Sequence, residues 1–171
     1  MNKTFFIADT HFGHEAVINY ENRPFKNSKE MTATLINNWN SVVSNEDTVF
    51  VLGDFSAYDK DTNISICKSL NGHKILVMGN HDIEREKFYY ECGFESVCKY
   101  PIIYDNFWIL SHEPMYISSN MPYANIFGHV HGNPIYTNYS KQSFCVSAER
   151  INYTPIEFND IKNKMGINNW K

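Results

Sequence analysis

The sequence predicts an α/β fold, because short buried strands alternate with helical patterns and the strands end in polar side chains. Three apolar runs rich in aromatic and β-branched residues predict strands at 4–8, 48–52 and 74–78. Between them, Met31, Leu35 and Trp39 recur at helical spacing within 28–43, and 59–70 is a second predicted helix. Since ligands of α/β sheets bind at the carboxyl ends of strands, we expect the chemistry at that edge.

The remaining elements follow from turn and capping signals. Ser28 is the predicted N-cap of the first helix, and the segment before it, which contains Arg23 and Pro24, is predicted to be a loop. A short helix is predicted at 83–92 and a hairpin at 94–104 and 107–110, with its turn at 105–106. Further strands are predicted at 125–127 and 143–148, and a strand end and short helix from 156 onward.

Composition limits the class of protein. The 171 residues are 43% hydrophobic and 15% aromatic, which fits one folded domain over 1–171. The net charge is −4, whereas proteins that bind duplex DNA usually carry a basic patch. Duplex DNA is therefore not an expected partner. The sequence has no apolar run long enough for a membrane span, no signal-peptide pattern and scattered cysteines. We therefore expect a cytoplasmic protein, encoded by a cell or by a mobile element.

Ligand-type side chains follow five of the predicted strands. They are, in chain order, Asp9 and His11, then Asp54, then Asn80 with His81 and Asp82, then His112, and last His129 and His131. In an extended segment alternate residues point the same way, so Asp9 and His11 are expected to converge on one ion. Each block by itself also fits a turn, a helix cap or a solvated histidine.

Taken together, these blocks favour a pair of metal ions. Oxygen and imidazole ligands suit manganese above all, with iron, zinc or nickel as alternatives, and do not suit calcium. The candidate ligands are too numerous for one tetrahedral zinc ion, and they fit two ions that share a carboxylate. Paired ions about 3.5–4 Å apart are a known device for in-line attack on phosphorus.

The order D-x-H, G-D, G-N-H-D, H, G-H-x-H between Asp9 and His131 resembles the calcineurin-like metallophosphoesterase superfamily. The resemblance implies a four-layer sandwich of two mixed β-sheets flanked by helices. It also implies a dinuclear phosphoesterase that hydrolyses a small phosphodiester or phosphomonoester by means of a hydroxide bridging two divalent ions.

The resemblance also assigns roles to residues. It places Asp9, His11 and His131 on one ion, places Asn80, His112 and His129 on the other, and makes Asp54 the bridging ligand. His81 is then the catalytic histidine and Asp82 its partner. Two departures stand out: Ala57 replaces an acidic or amide residue of fuller members, and 55–58 lacks the arginine of the protein-phosphatase branch. Protein-phosphatase activity is therefore not expected.

Two further residues are candidate substrate ligands. Arg23 could grip a phosphate with its planar guanidinium, or form a surface salt bridge. His14 could contact the substrate, support the metal ligands or lie exposed. Two other functions stay open: a nuclease acting on short single-stranded or cyclic nucleotides, and a protein-binding scaffold, which the intact ligand set disfavours. The sequence leaves the substrate and the oligomeric state undefined.

Overall fold

The computed structural model describes residues 2–137 and 140–167, and its strands form two mixed sheets. The first sheet contains β1 (Thr4–Ile7), β2 (Thr48–Val51), β3 (His73–Val77), β4 (Ser96–Cys98) and β9 (Ile156–Glu157). The second contains β5 (Ile102–Tyr104), β6 (Trp108–Leu110), β7 (Ala124–Phe127) and β8 (Ser143–Cys145). The orders are β4-β3-β2-β1-β9 and β5-β6-β7-β8, with only β9 and β5 antiparallel to their neighbours.

Helices flank these sheets, as predicted. They are α1 (Glu15–Tyr20), α2 (Ser28–Val42), α3 (Lys60–Ser69), α4 (Glu86–Cys92) and α5 (Phe158–Met165), with a 3₁₀ turn at Ala148–Ile151. The sequence missed α1, which lies in the predicted loop before α2. It also misplaced the start of α2 by one residue: Asn27 is the N-cap, and its Oδ1 accepts a hydrogen bond from the Glu30 N–H at 2.9 Å.

Alternate residues of the central strands enter two separate hydrophobic cores. Phe5 and Ile7 of β1 pack with α2 residues such as Leu35 in the first core. Phe6 packs in the second core with Leu110 of the other sheet. Since both faces of the first sheet are buried, its strands read as continuous apolar runs instead of alternating ones.

The prediction of one continuous strand at 94–104 is wrong. These residues form two strands, β4 and β5, which belong to different sheets and are separated by a segment that contains Pro101. Proline has no N–H to donate to a ladder, so it marks the place where the chain leaves one sheet for the other. The predicted hairpin of β5 and β6 is confirmed, with Asp105 and Asn106 at φ of 50° and 54° in its turn.

The two sheets meet at the carboxyl end of β1. There the Ala8 N–H donates to the carbonyl of Val146 at 2.9 Å, and the Ala148 N–H donates to the Ala8 carbonyl at 3.0 Å. The strand ends of both sheets therefore converge on one region of the surface. Within 2–137 and 140–167, the structure contains no helix that is both long and apolar enough to cross a membrane.

Candidate metal centre

Tight turns at the strand ends direct the polar side chains toward one another. Five of these residues have left-handed backbone conformations with φ between 46° and 69°: Asp9, His11, Asp54, His129 and His131. Such conformations cost about 1–3 kcal/mol each and are concentrated at functional sites. Asp9 and His11 do converge, but the reason given from the sequence is wrong, because the segment is a left-handed turn and not extended.

Four of these side chains form what we call the first cluster: Asp9, His11, Asp54 and His131. One ligand atom from each lies within 4.8 Å of all the others. His11 Nε2 is 3.4 Å from Asp54 Oδ2, and His131 Nε2 is 4.0 Å from Asp9 Oδ1. His11 Nε2 is buried and has no hydrogen-bond partner among the described residues. A buried nitrogen lone pair beside two carboxylates suits a divalent cation.

The charge states of the first cluster fit the same interpretation. Burial raises the pKa of Asp9 to about 6 in the absence of a cation, even though neighbouring histidines oppose the shift. Burial, helped by His131, lowers the pKa of His11 to about 2, so this imidazole is neutral. A neutral imidazole is the form that binds a metal, and a cation would offset the cost of burying the carboxylate.

Three side chains from other strand ends form the second cluster: Asn80, His112 and His129. Asn80 Oδ1 is 2.9 Å from His112 Nε2 and 2.9 Å from His129 Nδ1, and these two nitrogens are 3.1 Å apart. His112 Nδ1 donates to the carbonyl of Leu52 at 2.9 Å, which leaves Nε2 with a lone pair facing the cluster. The second cluster therefore also offers convergent oxygen and nitrogen donors.

Asp54 belongs to the first cluster and also approaches the second. Its Oδ2 is 3.4 Å from His11 Nε2 on one side and 3.5 Å from His112 Nε2 on the other. Its Oδ1 accepts a hydrogen bond from the His81 N–H at 2.9 Å, which fixes the carboxylate in this orientation. The structure thus brings all seven predicted metal ligands together in two adjoining clusters.

The glycines of the G-D and G-N blocks allow this close approach. A Cβ atom on Gly79 would overlap Asp54 Oδ1, and one on Gly53, whose φ is +88°, would overlap the His112 ring. At both positions only glycine leaves room for a side chain that comes from the end of another strand. These two blocks therefore carry a steric requirement of the site as well as its ligands.

The Asp82 carboxylate binds the backbone of two turns. The predicted hydrogen bond between this carboxylate and the His81 imidazole is not formed. The carboxylate accepts hydrogen bonds from the backbone N–H groups of Asp54 at 2.7 Å, Phe55 at 3.1 Å and Gly79 at 2.8 Å. Both oxygens are thus engaged with the turns after β2 and β3, which contradicts the pairing of Asp82 with the His81 imidazole. We assign Asp82 a positioning role.

The His81 imidazole stands at the open side of the clusters. His81 is exposed, and its ring centroid lies 5.3 Å from that of His11 and 6.2 Å from that of His14. His14 is half-buried, with Nδ1 3.3 Å from His11 Nδ1. Both rings line a pocket of about 340 Å³ beside the first cluster. This position leaves them accessible to a substrate.

Arg23 is buried behind the first cluster, which contradicts both interpretations made from the sequence. Its Nη2 donates to the Asp9 carbonyl at 2.6 Å and its Nη1 to the Thr10 carbonyl at 3.1 Å. The guanidinium also pairs with Glu149 at 2.7 Å, and its side chain is 0% exposed. Arg23 is therefore neither a phosphate ligand nor a surface salt bridge, and it fixes the turn that carries Asp9.

Glu149 is the residue that sequence reasoning missed. His131 Nδ1 donates to Glu149 Oε1 at 3.0 Å, which directs His131 Nε2 toward Asp9. Burial alone would raise the pKa of Glu149, but the hydrogen bond from His131 and the charge of Arg23 outweigh it and lower this pKa. The sequence did contain a sign of this residue. Glu149 directly follows the predicted strand at 143–148, just as the other candidate ligands follow predicted strands.

This chain is similar to a known family and to individual proteins. The family model described as calcineurin-like phosphoesterase matches residues 3–170. The uncharacterized protein MJ1445 of Methanocaldococcus jannaschii is 37% identical over 164 residues, covering 91% of this chain and 87% of that protein. The Gene 66 protein of Mycobacterium phage L5 is 36% identical over 85 residues, which are 48% of this chain and 41% of that protein.

Two solved structures are similar to the whole fold or to most of it. The protein of unknown function AQ665 from Aquifex aeolicus superposes with a TM-score of 0.75 and 29% identity, over 96% of this chain and all of that one. The Pseudomonas putida nuclease MPE superposes with a TM-score of 0.53 and 20% identity, over 75% of this chain and 61% of that one. The second similarity concerns the fold alone.

Proposed function

Because this chain belongs to the calcineurin-like phosphoesterase family, we propose that it is a dinuclear metal-dependent hydrolase of a small phosphodiester or phosphomonoester. In this proposal the first cluster holds one divalent ion and the second cluster holds another. The mixture of carboxylate, amide and imidazole donors favours manganese, with iron, zinc and nickel as alternatives.

One observation carries the proposal: Asp54 Oδ2 lies 3.4 Å from His11 Nε2 and 3.5 Å from His112 Nε2. A carboxylate oxygen this near to an imidazole nitrogen of each cluster could act as a ligand to two ions, which supports the proposal. When bound, two divalent ions would neutralise charge on the phosphoryl group and lower the pKa of a water molecule that attacks phosphorus.

His81 is the proposed proton donor to the leaving oxygen. Its imidazole is exposed beside the clusters, while its backbone N–H is fixed by Asp54 at 2.9 Å. It can therefore reach a bound ester without giving up a structural contact of its backbone. His14, which lies 6.2 Å away between ring centroids, is the proposed contact for a phosphate oxygen or the ester group.

The proposal is tested by reloading metal-free protein with manganese, iron, zinc or nickel. The substrates are p-nitrophenyl phosphate and bis(p-nitrophenyl) phosphate, followed by a panel of cyclic nucleotides. We expect hydrolysis of at least one ester with the reloaded protein, and elemental analysis that approaches two ions per chain. Asp54→Asn, prepared in parallel, is expected to lose both ions and the activity.

Two outcomes would contradict the proposal in different ways. A fully active protein that saturates at one ion per chain would rule out the dinuclear centre and leave the hydrolase. Protein that binds two ions but hydrolyses none of these esters would rule out the phosphoesterase function and leave a metal-binding scaffold.

A further inference from the structure

The pocket of about 340 Å³ beside His81 has a wall that the proposed chemistry does not use. Its lining includes the His81 and His14 imidazoles. The lining also includes Tyr58, which precedes α3, Ile83, which precedes α4, and Phe88 and Tyr89 of α4. We call these last four residues the apolar wall. The pocket thus extends from the metal clusters to a largely aromatic surface.

Part of the apolar wall is packed against the rest of the protein, and part of it is exposed to water. The Tyr58 ring packs so closely on Gly13, whose φ is +78°, that a Cβ atom there would overlap the ring. Tyr58 and Phe88 also contact the first hydrophobic core. Ile83, in contrast, is 85% exposed, although it is a large apolar side chain two positions after His81. An aromatic group in the pocket would cover Ile83 and remove that surface from water.

The charged groups of the pocket select against a second anion. The described residues that line it include the carboxylates of Asp59 and Glu84 and no lysine or arginine. A second anion in this pocket would lie near these two carboxylates, and the described lining has no lysine or arginine to offset their charge.

We propose that this pocket binds the organic group of the ester, and that this group is an uncharged aromatic ring, such as a nucleobase or an aryl group. The preferred substrate is therefore an ester with a single phosphate group and a neutral ring, and not a polyphosphate or a long polynucleotide. This inference rests on the proposed function, since it places the phosphate at the metal clusters.

Three phosphonates that are not hydrolysed test the pocket by competition against bis(p-nitrophenyl) phosphate. Methylphosphonate carries the anionic group alone, phenylphosphonate adds a neutral ring, and p-carboxyphenylphosphonate adds a negative charge to that ring. With manganese-loaded protein, phenylphosphonate should bind roughly ten- to a hundredfold more tightly than methylphosphonate, as expected for burial of an aromatic ring. The carboxylated ring should lose most of that gain. Calorimetric titration of the same compounds gives a readout independent of turnover.

Substitutions then locate the effect. Ile83→Asn should remove part of the advantage of phenylphosphonate, because it takes away apolar surface that is exposed and outside the hydrophobic cores. The matched control is Ile135→Asn, since Ile135 is 84% exposed and does not line the pocket; it should leave all three affinities unchanged. Glu84→Gln should improve binding of the carboxylated ring by roughly two- to fivefold, through the loss of one like charge.

The outcomes separate this inference from the proposed function. Hydrolysis of the nitrophenyl ester with equal affinity for methyl- and phenylphosphonate would overturn the pocket assignment and leave the phosphoesterase standing. A ring advantage that Ile83→Asn and Ile135→Asn reduce equally would also overturn it. Tighter binding of the carboxylated ring than of the neutral one would reverse the charge argument. If no ester is hydrolysed while calorimetry still shows the ring advantage, the phosphoesterase proposal fails and the pocket assignment stands.

Discussion

The first and second clusters use the same kind of strand-end residue but differ in burial and charge. In the first, Asp9 and Asp54 supply two carboxylates that are 0% and 2% exposed. In the second, Asn80 supplies a neutral amide and is exposed, and His129 is only half-buried. Asp54 Oδ2 approaches an imidazole nitrogen of each cluster, His11 Nε2 at 3.4 Å and His112 Nε2 at 3.5 Å. The first cluster therefore carries more negative charge in a less solvated place.

This difference suggests that the two proposed ions are held with different strength. Carboxylates bind a divalent ion more strongly than an amide does, and buried ligands are screened less by water. The first cluster is also supported from behind, where Glu149 fixes His131 and Arg23 fixes the Asp9 turn. We expect a tightly held ion in the first cluster and an exchangeable ion in the second.

The largest effect is expected from Asp54→Asn, because it removes the carboxylate whose Oδ2 approaches His11 Nε2 at 3.4 Å and His112 Nε2 at 3.5 Å. Both ions should bind more weakly, and activity should fall toward the metal-free background. The amide retains an oxygen that can accept the His81 N–H bond seen at 2.9 Å, so the turn should survive. Elemental analysis and activity after reloading measure the result. Loss of a single ion would show that Asp54 belongs to one cluster only.

His81→Gln should give the next largest effect, since His81 belongs to neither cluster. We expect kcat to fall by roughly 10²–10⁴-fold on an ester with a poor leaving group, as for loss of a general acid. The fall should be smaller on nitrophenyl esters, because nitrophenolate leaves without a proton. Metal content should stay at the wild-type value. A variant that lacks one ion per chain would instead make His81 a ligand.

The sequence was a good guide to which residues form this site, and a poorer guide to the backbone conformations that bring them together. Strand ends and ligand types identified all seven residues that the structure gathers, because that information is local. The left-handed turns at Asp9 and His11 were not anticipated, since positive φ at non-glycine residues is rare and is sustained by tertiary contacts. Likewise, the strand predicted at 94–104 crosses between sheets, which only long-range pairing determines.

The sequence did not predict the hydrogen bonds and ion pairs that hold the ligand-bearing turns in place. Arg23 and Glu149 are 126 positions apart in the chain, and their pairing at 2.8 Å exists only because β1 and β8 end side by side. The carboxylate of Asp82 likewise reaches back to the turn after β2. Contacts of this kind connect motifs that look independent in a single sequence.

Glu149→Gln should affect the first cluster and spare the second. The variant keeps an oxygen that can accept from His131 Nδ1 but removes the negative charge beside it. We expect roughly 10–100-fold weaker binding of the first ion, the effect typical of residues that hydrogen-bond metal ligands. Titration of metal-free protein with manganese measures both affinities. Glu157→Gln is the control, because Glu157 pairs with Lys3 away from the clusters. Equal weakening of both ions would contradict the separation of the two clusters.

Removing the metals should have the smallest effect on the fold. The two hydrophobic cores are built from sheet and helix residues, so they do not depend on the ions as a zinc finger does. Ions present at 100- to 1,000-fold their Kd stabilise a folded state by about 3–4 kcal/mol, which corresponds to roughly 5–15 °C in Tm for a chain of this size. Chelation should therefore lower Tm by that amount and leave far-ultraviolet dichroism near native at room temperature.

The course of chelation also tests the comparison between the clusters. With a limiting amount of a weak chelator, one ion per chain should leave first, and the remaining ion should resist until a stronger chelator is added. The first loss should end activity with little change in Tm, because the second cluster is exposed and carries less charge. The second loss should account for most of the fall in Tm, since it leaves two carboxylates buried together at Asp9 and Asp54. Simultaneous release of both ions, or global unfolding at the first loss, would show that the two clusters act as one.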